Sequence, residues 1–165
     1  MEVLVTDEQE KLELDIEFIK SVALAIMGFI KSPENAQLSM VFCDDESIKA
    51  LNNDYRGKNE PTDVLSFPIE LENFVPEVRM LGDIVISTDT AFRQADEYKH
   101  SVIAEIVILM IHGLLHLHGY DHIEEDDMVK MRAKEAEVLN HLCSHKRFPQ
   151  ISDLSTEPLI ERASK

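Results

Sequence analysis

Several things are scarce in this sequence, and each scarcity narrows what the chain can be. Cysteine occurs only at Cys43 and Cys143, too few for a disulfide framework and in keeping with a reducing compartment. Both lie among apolar neighbours and are expected to be buried, unreactive thiols. Basic residues number 16 against 32 acidic ones, for a formal net charge of -16. So acidic a chain repels polyanions at long range, which excludes general nucleic-acid binding unless a local cation or a partner supplies the attraction. The one basic knot, His145 to Arg147, reads as a solvated helix end. The opening "MEVLVTDEQEKLELD" has no basic region and no apolar run, so no secretory signal is expected. The most apolar stretch, Val102 to Leu117, carries Glu105, His112 and His116, and is too short and polar to span a membrane. A cytoplasmic protein with no membrane partner is the expectation. No repeat, low-complexity tract or Gly/Ser linker divides the 165 residues. They are expected to form a single domain, with 146–165 as a mobile tail.

Elements can be placed from periodicity and punctuation. "EVLVT", "LSMVFC", "DVLSFPI" and "GDIVIS" read as strands, the last two joined by an irregular segment containing Pro76. Helical spacing from Phe18 to Ile30 ends near Ser32-Pro33. Asp44 is placed to cap a helix through Ile48, Leu51 and Asn52, after which "DYRGKNEPT" reads as a loop. Ser87-Thr88 caps a helix over Asp89 to Tyr98. Another runs from about Ser101 to His118 and stops at Gly119, and a last one spans about Glu124 to Leu142. Strands mixed with helices, then helices alone, predict an α+β fold. A small mixed β-sheet is covered on one face by helices.

What the sequence does have is histidine, four within "IHGLLHLHGYDH". His112 and His116 are one helical turn apart on one face, so both imidazoles can reach one ion. Gly119 ends the helix and lets the chain turn back to present His122. Three imidazoles with an open fourth position suit a catalytic zinc. Imidazole also suits other metals, and zinc is preferred because nothing else in the chain implies redox work. His118 lies roughly 200° round the helix from His116 and is assigned to the surface. The positions fit the zinc-peptidase motif HExxHxxGxxH, except that Gly113 stands where that motif has its general-base Glu. The metal reading survives this exchange; proteolysis becomes the poorer hypothesis.

"HGLLHLHGYDH" resembles the HGxLHLxGYDH signature of the YbeY family of bacterial zinc-dependent endoribonucleases and ribosomal RNA maturation factors. "NNDYRGKNEPTDVLSFP", Asn52 to Pro68, is similar to that family's NxxYRxxxxPTDVLSFP block, and "LGDIVIS" to its LGDI strand. The residue at Asn59 is more usually Asp. The resemblance implies a small mixed sheet with helices, related to zinc-peptidase architecture, and one Zn2+ per chain on His112, His116 and His122. It implies Arg56 as the functional arginine, and a role in small-subunit ribosomal RNA 3′-end maturation and ribosome quality control. Implied partners are the ribosomal RNA precursor, small-subunit ribosomal proteins and a ribosome-assembly GTPase.

The chemistry is coherent from below. Zinc with three neutral ligands lowers the pKa of bound water from about 15.7 to about 7. Zinc-bound hydroxide is therefore expected to attack the phosphodiester of single-stranded RNA, with Arg56 stabilising the phosphate charge. On its own residues, Arg56 in a polar loop reads first as a surface ion pair or loop tie, and the resemblance is what favours the functional role. Asp121 either orients a ligand imidazole or closes the turn. Asp63 and Ser66 flank the strand that by analogy lines the cleft, and Ser66 has no visible triad partner. The acidic run Glu124 to Asp127 reads as favourable charge at a helix N-terminus. The alternatives are a non-enzymatic ribosome-assembly factor with a structural zinc, and a metallopeptidase using some other base.

Overall fold

The computed structural model describes residues 1–69, 77–144, 147–152 and 154. Strands β1 (Glu2–Asp7), β2 (Ala36–Cys43), β3 (Val64–Pro68) and β4 (Arg79–Ser87) form one sheet in the order β1-β2-β4-β3. β1, β2 and β4 run parallel, whereas β3 pairs antiparallel with β4 at the sheet edge, placing Ser66 opposite Ile84. Parallel neighbours need a crossover, and α1 (Ile16–Phe29) supplies it between β1 and β2. The irregular segment expected around Pro76 lies outside the described residues, as do His145, Lys146 and most of the expected tail.

Short polar side chains start the helices, Asp44 and Ser87 as expected and Asp15 ahead of the expected start at Phe18. The Asp15, Asp44, Ser87 and Ser101 side chains each accept from a backbone N–H in the first turn of α1, α2 (Asp45–Arg56), α3 (Thr88–Tyr98) and α4 (Val102–Leu117). α2 runs farther than its sequence suggested. Where a loop is expected over Asp54 to Thr62, the helix continues to Arg56 and is capped by Gly57. Asn52 explains the extension. It is buried, and its Nδ2 donates to the Glu60 carbonyl at 2.9 Å, folding the following loop against the helix. α5 (Glu125–Ser144) opens on Glu125, Asp126 and Asp127, the acid-rich first turn that the helix dipole favours.

Alternation along β2 sends side chains to two faces. Leu38, Met40 and Phe42 join Ile84 and Ile86 of β4 in the main core, closed by Ile19 and Ile26 of α1, Met110 and Leu114 of α4, and Leu139 and Leu142 of α5. The opposite face was expected to be open, yet α2 covers part of it, packing Ile48 on Cys43, Leu65 and Val85. Burial there pushes the Cys43 thiol up to about 12, so it is unreactive. Cys143 is half-buried, and its thiol donates to the Ile151 carbonyl at 3.2 Å. Part of the expected tail is packed as well. Phe148 and Ile151, around a 3-10 turn over Pro149–Ile151, are buried in the main core because both are large and apolar. Among the described residues no single helix is long and apolar enough to cross a membrane.

Candidate metal centre

The last two turns of α4 present His112 and His116 on one face, their ring centroids 4.6 Å apart. Gly119, with φ +88°, then reverses the chain in a conformation that L side chains rarely adopt. Its N–H donates to the His116 carbonyl and that of Tyr120 to the Leu115 carbonyl, both at 3.0 Å, closing the helix end. The reversal brings the His122 ring to 5.0 Å from His116 and 5.7 Å from His112, and one ring nitrogen from each lies within 4.8 Å of the others. Asp121 makes the turn itself, its Oδ1 accepting from the His122 N–H at 2.6 Å.

The carboxylate behind His112 orients that ring. His112 donates from Nδ1 to Oε1 of Glu135 at 2.6 Å, so its Nε2 carries the lone pair and stands 3.0 Å from Nε2 of His116. Burial holds His116 down at about 4, and the neighbouring His112 and His122 push the same way while Asp121 opposes them. His116 is thus neutral near pH 7 and free to donate its lone pair. Converging imidazoles, one oriented by a carboxylate behind it, are a donor set that fits a borderline metal ion such as zinc. These three histidines can hold a metal ion.

Glu135 escaped the sequence reading, which took α5 for a helix with an acidic start and nothing more. A signal was available. Met131, Val138, Leu139 and Leu142 mark the buried stripe of α5, and Glu135 falls on that stripe at helical spacing from Met131 and Val138. A carboxylate on an apolar stripe needs a partner, and His112 is that partner. His118, assigned to the surface, is half-buried instead. Its Nδ1 donates to the Leu114 carbonyl and its Nε2 accepts from Ser32 Oγ, each at 2.9 Å, which pins the end of α4 to the turn after α1.

A polar cleft of about 270 Å³ opens beside the cluster, lined by all three histidines and by Arg56, Asp63 and Ser66. Arg56 reaches it from the exposed last turn of α2. Ser66, on the edge strand β3, donates to the Gly113 carbonyl at 3.4 Å. Asp63 is held by the Val64 N–H at 2.7 Å and by Gln94 Nε2 at 3.1 Å. Gly113 has its own reason to be glycine. A Cβ there would stand 3.0 Å from two carbons of Ile84, so α4 packs closely on β4 at this point. A glutamate at this position would have to push the Ile84 side chain aside.

Comparison with known proteins agrees with this geometry. The family model described as Endoribonuclease YbeY matches residues 4–143. A protein of Finegoldia magna named Endoribonuclease YbeY is 38% identical over 150 residues, covering 88% of this chain and 97% of its own. Another of the same name, from Desulforamulus reducens, is 42% identical over 149 residues, covering 86% and 97%. The solution structure of a Thermotoga maritima protein shares the fold at a TM-score of 0.62 and 22% identity, covering 92% of this chain and 96% of that one. With the histidine motif, the edge strand and the model match all in register along most of its length, this chain belongs to the YbeY family.

Proposed function

We propose that this protein is a zinc-dependent endoribonuclease that cuts single-stranded RNA during ribosomal RNA processing, including small-subunit 3′-end maturation. The relatives' shared name supports the endoribonuclease part. The observation that carries the reading is the convergence of three imidazoles, with Arg56, on one polar cleft. His112, His116 and His122 hold one Zn2+. When bound, the ion supplies charge for phosphoryl oxygens and makes water an available nucleophile near neutral pH. Arg56 binds two oxygens of the scissile phosphate at once, a geometry that a planar guanidinium suits. Glu135 keeps His112 in the tautomer that ligates. Ser66, tied to the Gly113 carbonyl, shapes the strand side of the cleft and is not a nucleophile. Asp63, also fixed by hydrogen bonds, shapes the same wall, and Asp121 sets the turn that delivers His122.

The net charge of -16 repels naked RNA, which supports delivery of the substrate by a cytoplasmic partner: small-subunit ribosomal proteins and an assembly GTPase. Metal analysis and cleavage of a single-stranded ribosomal RNA precursor test the reading together. Wild type is expected to carry one zinc per chain and to cut the RNA, and His116→Ala to lose both. Equal cleavage by the metal-free variant would remove the zinc mechanism. A wild type that binds zinc and leaves RNA intact, with a variant that only melts earlier, would make the ion structural.

A further inference from the structure

The histidine cluster opens on two sides. Opposite the Arg56 cleft is a second cavity, also about 270 Å³, which shares His112, His122 and Asp63 with the first. It lies among α3, α4 and α5, and its walls are largely apolar: Tyr98, Ile108, Leu109, Met128 and Met131. We propose that this cavity receives the nucleobase of a nucleotide flanking the scissile phosphate. The inference rests on the endoribonuclease reading and extends it from the phosphate to the base.

Continuity is the first reason. In a nucleotide only a sugar separates phosphate from base, and a phosphate bound by Arg56 beside the histidine cluster lies next to both cavities, which share His112 and His122. Charge is the second. Arg56 faces Asp63 in the first cavity, whereas in the second Arg132 stands with two carboxylates, Asp63 and Glu135. The balance of charge is thus more positive on the Arg56 side, which favours a phosphate there and leaves the other side to an uncharged ring. Surface chemistry is the third. A tyrosine ring and two thioethers offer flat, polarisable contact to the π-face of a base, the way unpaired bases are held by proteins that read single strands.

A polar feature adds selectivity. The Asp63 carboxylate can only accept, so the Gln94 amide must turn its Nε2 toward Asp63 Oδ2, as it does at 3.1 Å. That fixes Gln94 Oε1 as the remaining acceptor, and it is buried with no hydrogen-bond partner. Gln94 lines this cavity. An unmet buried acceptor is costly, and an N–H on the edge of a bound base is the donor that would satisfy it.

The test uses the full, zinc-loaded chain and a single-stranded oligoribonucleotide whose cut bond has been mapped. The nucleotide on each side of that bond is replaced in turn by an abasic one. At one of these two positions the loss of the base is expected to lower kcat/KM about five- to a hundredfold, the range typical of one base stacked on a protein. Abasic sites farther away should have little effect. Tyr98→Ala is expected to lose a similar factor on intact RNA and to become insensitive to the abasic change, with zinc content unchanged, while Tyr98→Phe retains both rate and sensitivity. Equal cleavage of intact and abasic RNA by wild type overturns the base cavity and leaves the nuclease standing. Should wild type cut no single-stranded RNA, so that no bond can be mapped, the nuclease reading falls and takes the base cavity with it. The abasic substrates act on wild type alone, so the outcome stands even if Tyr98→Ala fails to fold.

Discussion

The two sides of the histidine cluster share residues but are built by opposite means. On the polar side, Arg56 stands exposed at the end of α2, and the edge strand β3 brings Ser66 against the Gly113 carbonyl. On the apolar side, three helices contribute flat and flexible side chains, and Glu135 reaches through from α5 to hold His112. The cation of the polar side thus stands on an exposed helix end, while His112 is oriented from the packed side. The contrast teaches that removing a residue from one side should damage rate, and from the other should damage metal binding or base preference.

The largest separation is expected from Arg56→Ala. Losing a charged donor to the transition state costs about 10²–10³ in kcat, while zinc content and base preference stay as in wild type. Single-turnover cleavage with metal analysis checks this, and a fall in zinc content matching the fall in rate would break the contrast. Glu135→Gln comes next and acts from the other side. Without the carboxylate to take the Nδ1 proton of His112, zinc affinity is expected to drop about 10–100-fold, read by competition with a chelator, with activity recovering at high zinc. Unchanged affinity would show that packing alone orients the ring. The smallest effect concerns the metal-free protein. His116 is held at about 4, below its ordinary 6.5, so the unfolded chain takes up its proton first as the pH falls. Stability is full above pH 6.5, and roughly 1–2 kcal/mol of it, discounted for solvent screening, should be lost on descending toward pH 4. Urea unfolding of wild type against His116→Gln isolates that slope, and parallel curves would refute it.

Much of this was legible in the chain itself. Short repeating patterns reveal what depends on neighbours in sequence, so the caps at Asp44, Ser87 and Ser101, the turn at Gly119 and the histidine row could all be read directly. Arg56 is expected in a loop and stands instead on a helix. Its helix is extended by the buried Asn52 and the Glu60 carbonyl, a contact no local propensity announces. His118 was misassigned for the same reason, because its partner Ser32 is 86 positions away. Glu135 lies 23 residues from His112 in a run that also contains the solvent-facing Glu137, paired with Lys134. Two glutamates on one helix differ only in which face they occupy, and only the stripe of apolar neighbours tells them apart.

The bare contact of Gly113 on Ile84 has a mechanical consequence. Backbone packs there directly against the Ile84 side chain, so α4 approaches β4 more closely than it could with any side chain at position 113 unless Ile84 moved. The rims are different, since Arg56 ends α2 and Met128 stands one turn inside α5, and helix ends are the places that fray. Room for a bulkier ligand is therefore to be sought at those rims and not between α4 and β4.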